Sequence, residues 1–259
     1  MKNHKTKLMG VINVTPDSYF EGSRETSPAS ILLKIKEMHS QGANWIDIGA
    51  ESTSPYAQPI SEEEELKRLT PLFEALPSIS ATVPFSIDTY KPTVAAQALK
   101  HGFTLINDVT GFQNPLMRKL AADTGAQICM MHMGNGIYPQ GIISHLLEWF
   151  SLKIDQLLKD GIQSSQIILD PGIGGGKFGK SVDDNLQILH NLEKLAGLGF
   201  PLLLGVSRKT FLQQITGKSA EETLPATLAA AVIAIQKGVN ILRVHDVAAH
   251  SQVLDVLSR

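Results

Sequence analysis

The chain has a single cysteine, Cys129, among its 259 residues, so no internal disulfide can form, and one isolated thiol suits a reducing compartment. It has no long hydrophobic run. The longest clean apolar stretch, Leu228 to Ile235, falls far short of the ~20 residues that a spanning helix needs. Nor does one sign of charge dominate, with Lys+Arg 23 against Asp+Glu 25 and no basic cluster, so the electrostatic footprint of a nucleic-acid binder is missing. Met1 to Lys7 is basic, but only a short strand-like stretch follows where a secretory leader would carry its apolar core. These absences leave a soluble, cytoplasmic enzyme as the expectation, with small-molecule partners and neither nucleic acid nor membrane.

What the chain does have is 43% hydrophobic residues, enough for a large core, and 21 glycines, many of which fall in a pattern. Six times a helix-like segment ends at a glycine and a short apolar run follows. Gly42 precedes Trp45 to Ile48, Gly102 precedes Phe103 to Ile106, and Gly125 precedes Gln127 to Met131. Gly161 precedes Ile167 to Leu169, Gly199 precedes Leu202 to Leu204, and Gly238 precedes Val239 to Val244. Glycine is the natural residue just past a helix end, where the backbone turns left-handed. Helix starts are marked too: Ser27-Pro28 reads as cap plus first helical residue, and Ser61 with Glu64 reads as a capping box. Pro225 opens and Lys237-Gly238 closes an alanine-rich helix.

Leu8 to Val14 and Phe85 to Ile87 complete eight strand-like runs, each nearly continuous in apolar residues, as in a parallel sheet covered on both faces. Eight βα units in about 250 residues predict an α/β fold, a single (β/α)8 TIM barrel, with an open doubly wound sheet as the other architecture. No linker or low-complexity tract divides the chain, so residues 1–259 are expected to form one domain.

In such a barrel the chemistry sits where strands end. The exits read Asn13; Glu51-Ser52-Thr53; Asp88; Asn107-Asp108; His132; Asp170; Ser207-Arg208-Lys209; and Arg243-Val244-His245-Asp246. Any one alone has the ordinary explanation of a turn former or helix cap; eight converging on one rim do not. Asp88, Asn107, Asp170 and Lys209 supply the acceptors and donors that a flat, nitrogen-rich heterocycle requires. Arg243, His245 and Thr53 could hold a multiply charged anion, arginine being suited to phosphate by its forked geometry. Asn13 offers a neutral oxygen to a hard cation such as Mg²⁺. Together these suggest group transfer with loss of phosphate or pyrophosphate.

A rival motif lies at Gly174 to Ser181, which satisfies the phosphate-loop pattern G-x-x-x-x-G-K-[ST]. Three things weigh against it. Asp170 to Ile173 separates it from the strand, it follows the sixth of eight strands, and five glycines between 172 and 179 make a chance match easy.

The rim segments resemble the dihydropteroate synthase family over nearly the whole chain. The matching runs are Met9 to Ser18, Gly49 to Thr53, Ser86 to Thr89, Ile106 to Asp108, Met131 to Met133, Leu169 to Gly172, Ser207 to Lys209 and Arg243 to Asp246. The resemblance implies a folate-pathway transferase, a cytoplasmic homodimer and sulfonamide target. It would condense 6-hydroxymethyl-7,8-dihydropterin pyrophosphate with 4-aminobenzoate, releasing pyrophosphate with Mg²⁺ present. It further implies that Asp88, Asn107, Asp170 and Lys209 hold the pterin with Met131 against its face, and that Thr53, Arg243 and His245 hold the phosphates. Asn13 would act toward Mg²⁺, and Phe178, Ser207 and Lys209 would border the aminobenzoate pocket. Asp88, Asp170, Lys209, Arg243 and His245 are the catalytic set on this reading.

The chain departs from the family in places. Ser54-Pro55-Tyr56 stands where the family has Arg-Pro-Gly, and three extra residues precede Phe178. Gly134 to Tyr138 replaces a longer loop, and Tyr19 to Gly22 differs in the first loop. Val109 to Phe112 and Thr210 to Leu212 lean toward the sulfonamide-insensitive branch. Two alternatives follow: a pterin-binding paralogue with lost or altered activity, and a methyltetrahydrofolate-binding methyltransferase module. Elsewhere the readings are plainer. Cys129 is expected in the core, and His39, His101, His190 and His250 at the surface or as caps. Glu62 to Glu65 reads as a solvated first turn, and Trp149 and Phe150 as packing against the barrel or at a subunit contact.

Overall fold

The computed structural model describes residues 6–14, 27–51, 58–79 and 83–259, without the side chain of Lys177. Its strands are β1 (Lys7–Asn13), β2 (Trp45–Gly49), β3 (Phe85–Asp88), β4 (Leu105–Asp108), β5 (Gln127–Met131), β6 (Ile167–Asp170), β7 (Leu203–Leu204) and β8 (Ile241–Val244). The helices are α1 (Pro28–Ser40), α2 (Glu62–Ala75), α3 (Pro92–Lys100), α4 (Pro115–Thr124), α5 (Ile142–Lys159), α6 (Val182–His190), α7 (Leu192–Ala196), α8 (Thr210–Thr216), α9 (Leu224–Gln236) and α10 (Val247–Leu257). The strands pair in parallel in the order β6-β5-β4-β3-β2-β1-β8-β7. A bridge between Leu169 and Leu202 and a 2.9 Å bond from Leu169 N to Pro201 O join the two ends. The sheet therefore curls into a nearly closed (β/α)8 barrel, and the open doubly wound alternative falls away.

Local signals act as their chemistry dictates. Gly125 takes φ 69° and ends α4, and the other five helix-ending glycines also have positive φ. Ser27 Oγ accepts from Ser30 N, and Ser61 Oγ from Glu64 N at 3.1 Å. The reciprocal half of the expected capping box does not form, because the Glu64 carboxylate turns to Arg68 Nε at 2.8 Å. Strand bounds differ most at β4, which starts and ends two residues later than expected, and at β8, which starts two residues later. Phe103 lies in the turn before β4, edge-on to Phe73, and β7 shrinks to two residues.

Two surface readings are corrected. Glu65 is not solvated: its side chain is fully buried, because Lys91 Nζ reaches both Glu65 and Glu51 and so ties α2 to the exit of β2 and the start of α3. Burial pushes the Lys91 ammonium down, yet its bonds to the two carboxylates outweigh that and hold it above the usual lysine value. Tyr90 Oη also donates to Glu51, at 3.0 Å. His250, expected at the surface or as a cap, is fully buried, with Nδ1 2.8 Å from Asp246 O. Phe150 packs in the core, and Trp149 lies edge-on to His132.

Removing one partner of a buried ion pair strands the other charge without water. Lys91→Met is expected to lower unfolding stability by about 3–5 kcal/mol, the usual weight of such a loss. Urea unfolding checks this; a loss below about 1 kcal/mol, the range of an exposed pair, would contradict it.

Candidate active site

Alternate residues of each strand point into the barrel. The lower interior layer is apolar, with Met9, Leu105, Cys129, Ile168, Leu203 and Ile241 forming a cluster of their own. Two residues further along their strands the chemistry changes: Asn107 follows Leu105, Met131 follows Cys129, Asp170 follows Ile168 and Arg243 follows Ile241. Asp47 and Asp88 join them from β2 and β3. A polar floor thus rests on an apolar plug.

Arg243 organises that floor. Its Nε donates to Asp47 Oδ2 and its Nη2 to Asp88 Oδ2, both at 2.6 Å. Asp47 Oδ2 also accepts from Asn107 Nδ2 at 3.0 Å, which spends one amide hydrogen and fixes which way Asn107 faces. Burial opposes the guanidinium charge, but Asp47 and Asp88 hold it firmly. Burial pushes Asp88 up to about 7, against the pull of Arg243 and with the push of Asp47. Burial raises Asp170 as well, opposed by the Gly172 amide, which donates to its Oδ1 at 2.7 Å.

Asp88, Asn107, Met131, Asp170, Phe178, Lys209 and Arg243 line a small cavity of about 30 Å³. It adjoins a larger one of about 420 Å³, whose wall includes Asn13, Phe178, Ser207, Lys209, Arg243 and His245. Lys209 Nζ lies 4.6 Å from the Phe178 ring centroid, and burial with the nearby Arg243 charge lowers it to about 8. The left-handed backbone at Arg208 (φ 56°) turns the chain so that Ser207 and Lys209 both face the cavities. That turn is held by a paired contact from Arg208 to Asp246, at 3.0 and 2.7 Å. His245 Nδ1 lies 3.0 Å from Ser207 Oγ, and burial, then Arg243, lowers it to about 4, so its imidazole is neutral near pH 7.

Ten of the sequence-predicted site residues that fall among the described residues, from Asn13 to His245, therefore line these two adjoining cavities; Thr53 lies outside the described residues. Four polar rim residues among those described do not join them, Glu51 and Asp246 being paired with Lys91 and Arg208. Asp108 serves the turn after β4, accepting from Thr110 N and Oγ1, and His132 turns outward, its Nε2 3.1 Å from His145 Nε2. Asp47 is the residue that strand exits alone miss. Its signal is a carboxylate inside the apolar run Trp-Ile-Asp-Ile, at the interior-facing parity of β2. Arg208, Thr210 and Glu221 also line the larger cavity.

A family model described as pterin binding enzyme matches residues 9–245. The chain is 43% identical over 249 residues to a dihydropteroate synthase of Bacillus subtilis (strain 168), covering 94% of this chain and 84% of that one. The chain belongs to the dihydropteroate synthase family. Among solved structures, the Xanthomonas albilineans dihydropteroate synthase with 4-aminobenzoic acid superimposes with a TM-score of 0.91 at 36% identity, over 98% of this chain and 92% of that one. The same enzyme with 7,8-dihydropteroate gives 0.88 at 34% identity, over 98% and 93%.

In this chain the phosphate-loop look-alike has a different use. Lys180, the lysine of the pattern, is buried with Nζ donating to His132 O at 3.1 Å and Phe178 O at 3.2 Å, so it serves backbone carbonyls of the dihydropteroate synthase barrel. Among the described residues no three His, Cys, Asp or Glu side chains are spaced to hold a metal ion. Asn13 does fit one: it ends β1 exposed at the larger cavity and offers the neutral oxygen that Mg²⁺ accepts alongside water and substrate phosphates. The family departures at Tyr19 to Gly22 and Ser54 to Tyr56 lie outside the described residues.

Because the Asp47 charge helps to raise Asp88, Asp47→Asn is expected to lower the Asp88 midpoint below about 7. Carbon-13 titration of the Asp88 carboxyl reads it; an unmoved midpoint would show that the two carboxylates do not feel each other across Arg243.

Proposed function

We propose that the chain condenses 6-hydroxymethyl-7,8-dihydropterin pyrophosphate with 4-aminobenzoate, giving 7,8-dihydropteroate and pyrophosphate. The observation that carries this reading is the floor of Asp88, Asn107 and Asp170 around Arg243, opening into a wider cavity lined by cationic and neutral donors. On this reading the pterin lies on the floor, its ring nitrogens and amino group donating to Asp88 and Asp170. Asn107 and Lys209 complete its edge, and Met131 covers its face.

The carbon–oxygen bond to the pyrophosphate breaks first. The carboxylates of Asp88 and Asp170 favour the positive charge left on the pterin methylene, which is electrostatic stabilisation by groups already fixed in place. Arg243 and Lys209 favour the charge on the departing oxygen. His245, neutral here, contributes a hydrogen bond to the phosphates rather than a charge. Thr53 stands beside them in the sequence-based assignment. The aminobenzoate, between Phe178, Ser207 and Lys209, then forms the carbon–nitrogen bond and its ammonium proton leaves to solvent. Asn13 would hold Mg²⁺, which when bound supplies charge compensation for the pyrophosphate.

We also infer a homodimer, supported by the apolar face shared by α9 and α10, and a cytoplasmic location, supported by the buried free thiol of Cys129. No described helix is long and apolar enough to cross a membrane.

The test is one assay with purified protein, pterin pyrophosphate, 4-aminobenzoate and Mg²⁺, measuring dihydropteroate and pyrophosphate; tight pterin binding without product would favour the inactive paralogue. In the same assay Asp88→Asn is expected to slow turnover by about 10²-fold or more while pyrophosphate binding survives. Turnover within a factor of about two, far below the usual weight of an electrostatic contact, would sink that role. The pH dependence has two limbs. Asp88 must be ionised, so kcat/KM falls as pH drops through about 7, and Lys209 must be charged, so it falls as pH rises through about 8. A flat profile between pH 6 and 9 would contradict both assignments.

A further inference from the structure

One of the chain's departures from its family, the rewritten stretch Gly134 to Tyr138, meets the Phe178-Gly179-Lys180 run that follows another, the three-residue insertion. Gly134 N donates to Phe178 O at 3.1 Å. Tyr138 Oη donates to Gly179 O at 2.7 Å. The buried Lys180 Nζ joins His132 O, at the exit of β5, to Phe178 O. The approach is too close for side chains on either strand of the contact. A Cβ on Gly134 would lie 1.9 Å from Tyr138 Oη and 2.8 Å from Phe178 O, and one on Gly179 would lie 2.5 Å from the Gly134 carbonyl. The β5 and β6 loops are thus joined backbone to backbone, directly behind the Phe178 ring that borders both cavities.

We propose that Tyr138 and Lys180 are positioning residues for the arylamine substrate, setting the Phe178 ring by clamping the β5 loop to the β6 loop. This rests on the function proposed above. Neither residue lines the cavities, so neither touches substrate; they act through Phe178. The tyrosine hydroxyl and the lysine ammonium satisfy carbonyls that the 3-10 turn at Gly176–Phe178 leaves free. The geometry also gives the look-alike lysine a task that needs no nucleotide.

The test pairs Tyr138→Phe, which keeps the ring and removes one hydrogen bond, with Lys180→Met, in the Mg²⁺-supplied enzyme. Tyr138→Phe is expected to raise KM for 4-aminobenzoate about three- to ten-fold, the weight of one net hydrogen bond. The pterin pyrophosphate affinity by calorimetry should stay within about two-fold of wild type, inside the spread of a neutral change. Hydrogen exchange at the Gly134 amide should accelerate in the same variant. Lys180→Met should repeat the split more strongly. The proposal is overturned if the wild type turns over, the Gly134 amide is released and the arylamine KM stays put. It is also overturned if both substrates weaken together, as general loosening would cause. A wild type that makes no product overturns the underlying function instead, and the Gly134 exchange rate still reports whether the clamp exists.

Discussion

Arg243 lies between Asp47 and Asp88 inside the barrel, and much of the structure follows from keeping those three charges out of water. A buried ion pair is tolerated only when geometry and hydrogen bonding are close to complete. Here one guanidinium meets two carboxylates from neighbouring strands, and Asn107 adds a second donor to Asp47 Oδ2 from a third, leaving the buried Asp47 Oδ1 without a partner among the described residues. The apolar plug of Met9, Leu105, Cys129 and Ile168 beneath keeps solvent from below. Burial, reinforced by the Asp47 charge, brings Asp88 to a pKa near neutrality against the pull of Arg243. A floor built in this way presents fixed acceptors without needing to reorganise when a charged heterocycle arrives.

Two buried lysines hold the rim above that floor in contrasting ways. Lys91 binds carboxylates from two other segments and joins the exits of β2 and β3. Lys180 binds only carbonyls and joins the exits of β5 and β6. The first is a charge-matched contact that burial leaves ionised, whereas burial lowers the second to about 8. Neither is placed to carry out chemistry, yet each fixes a loop root beside the cavities.

The fold was legible because its punctuation is local. A glycine past a helix end, a serine or proline before a helix start and an unbroken apolar run each report on their own few residues, and the six glycines take the backbone their positions require. The strand-exit residues were legible for the same reason, since a polar side chain closing an apolar run marks a rim. What escaped depends on partners far away in the chain. Glu65 sits in a run of four glutamates and differs from its neighbours only because Lys91, 26 residues on, arrives beside it. Asp47 lies inside a strand rather than at its end, so it took Arg243, 196 residues away, to explain it. His250 carries no sequence mark of its burial in α10.

The seam of the barrel has a mechanical consequence. Every other neighbouring pair of strands shares a ladder, whereas β6 and β7 meet through one bridge beside a two-residue strand. The wall is therefore most compliant between the strand that carries Asp170 and the one that leads to Ser207 and Lys209. Widening it there breaks little backbone bonding, much as a hoop gives first at its buckle. A guest that enters between Phe178 and Lys209 presses on the part of the frame that yields most cheaply, while the Asp47–Arg243–Asp88 side, laddered on both flanks, stays rigid.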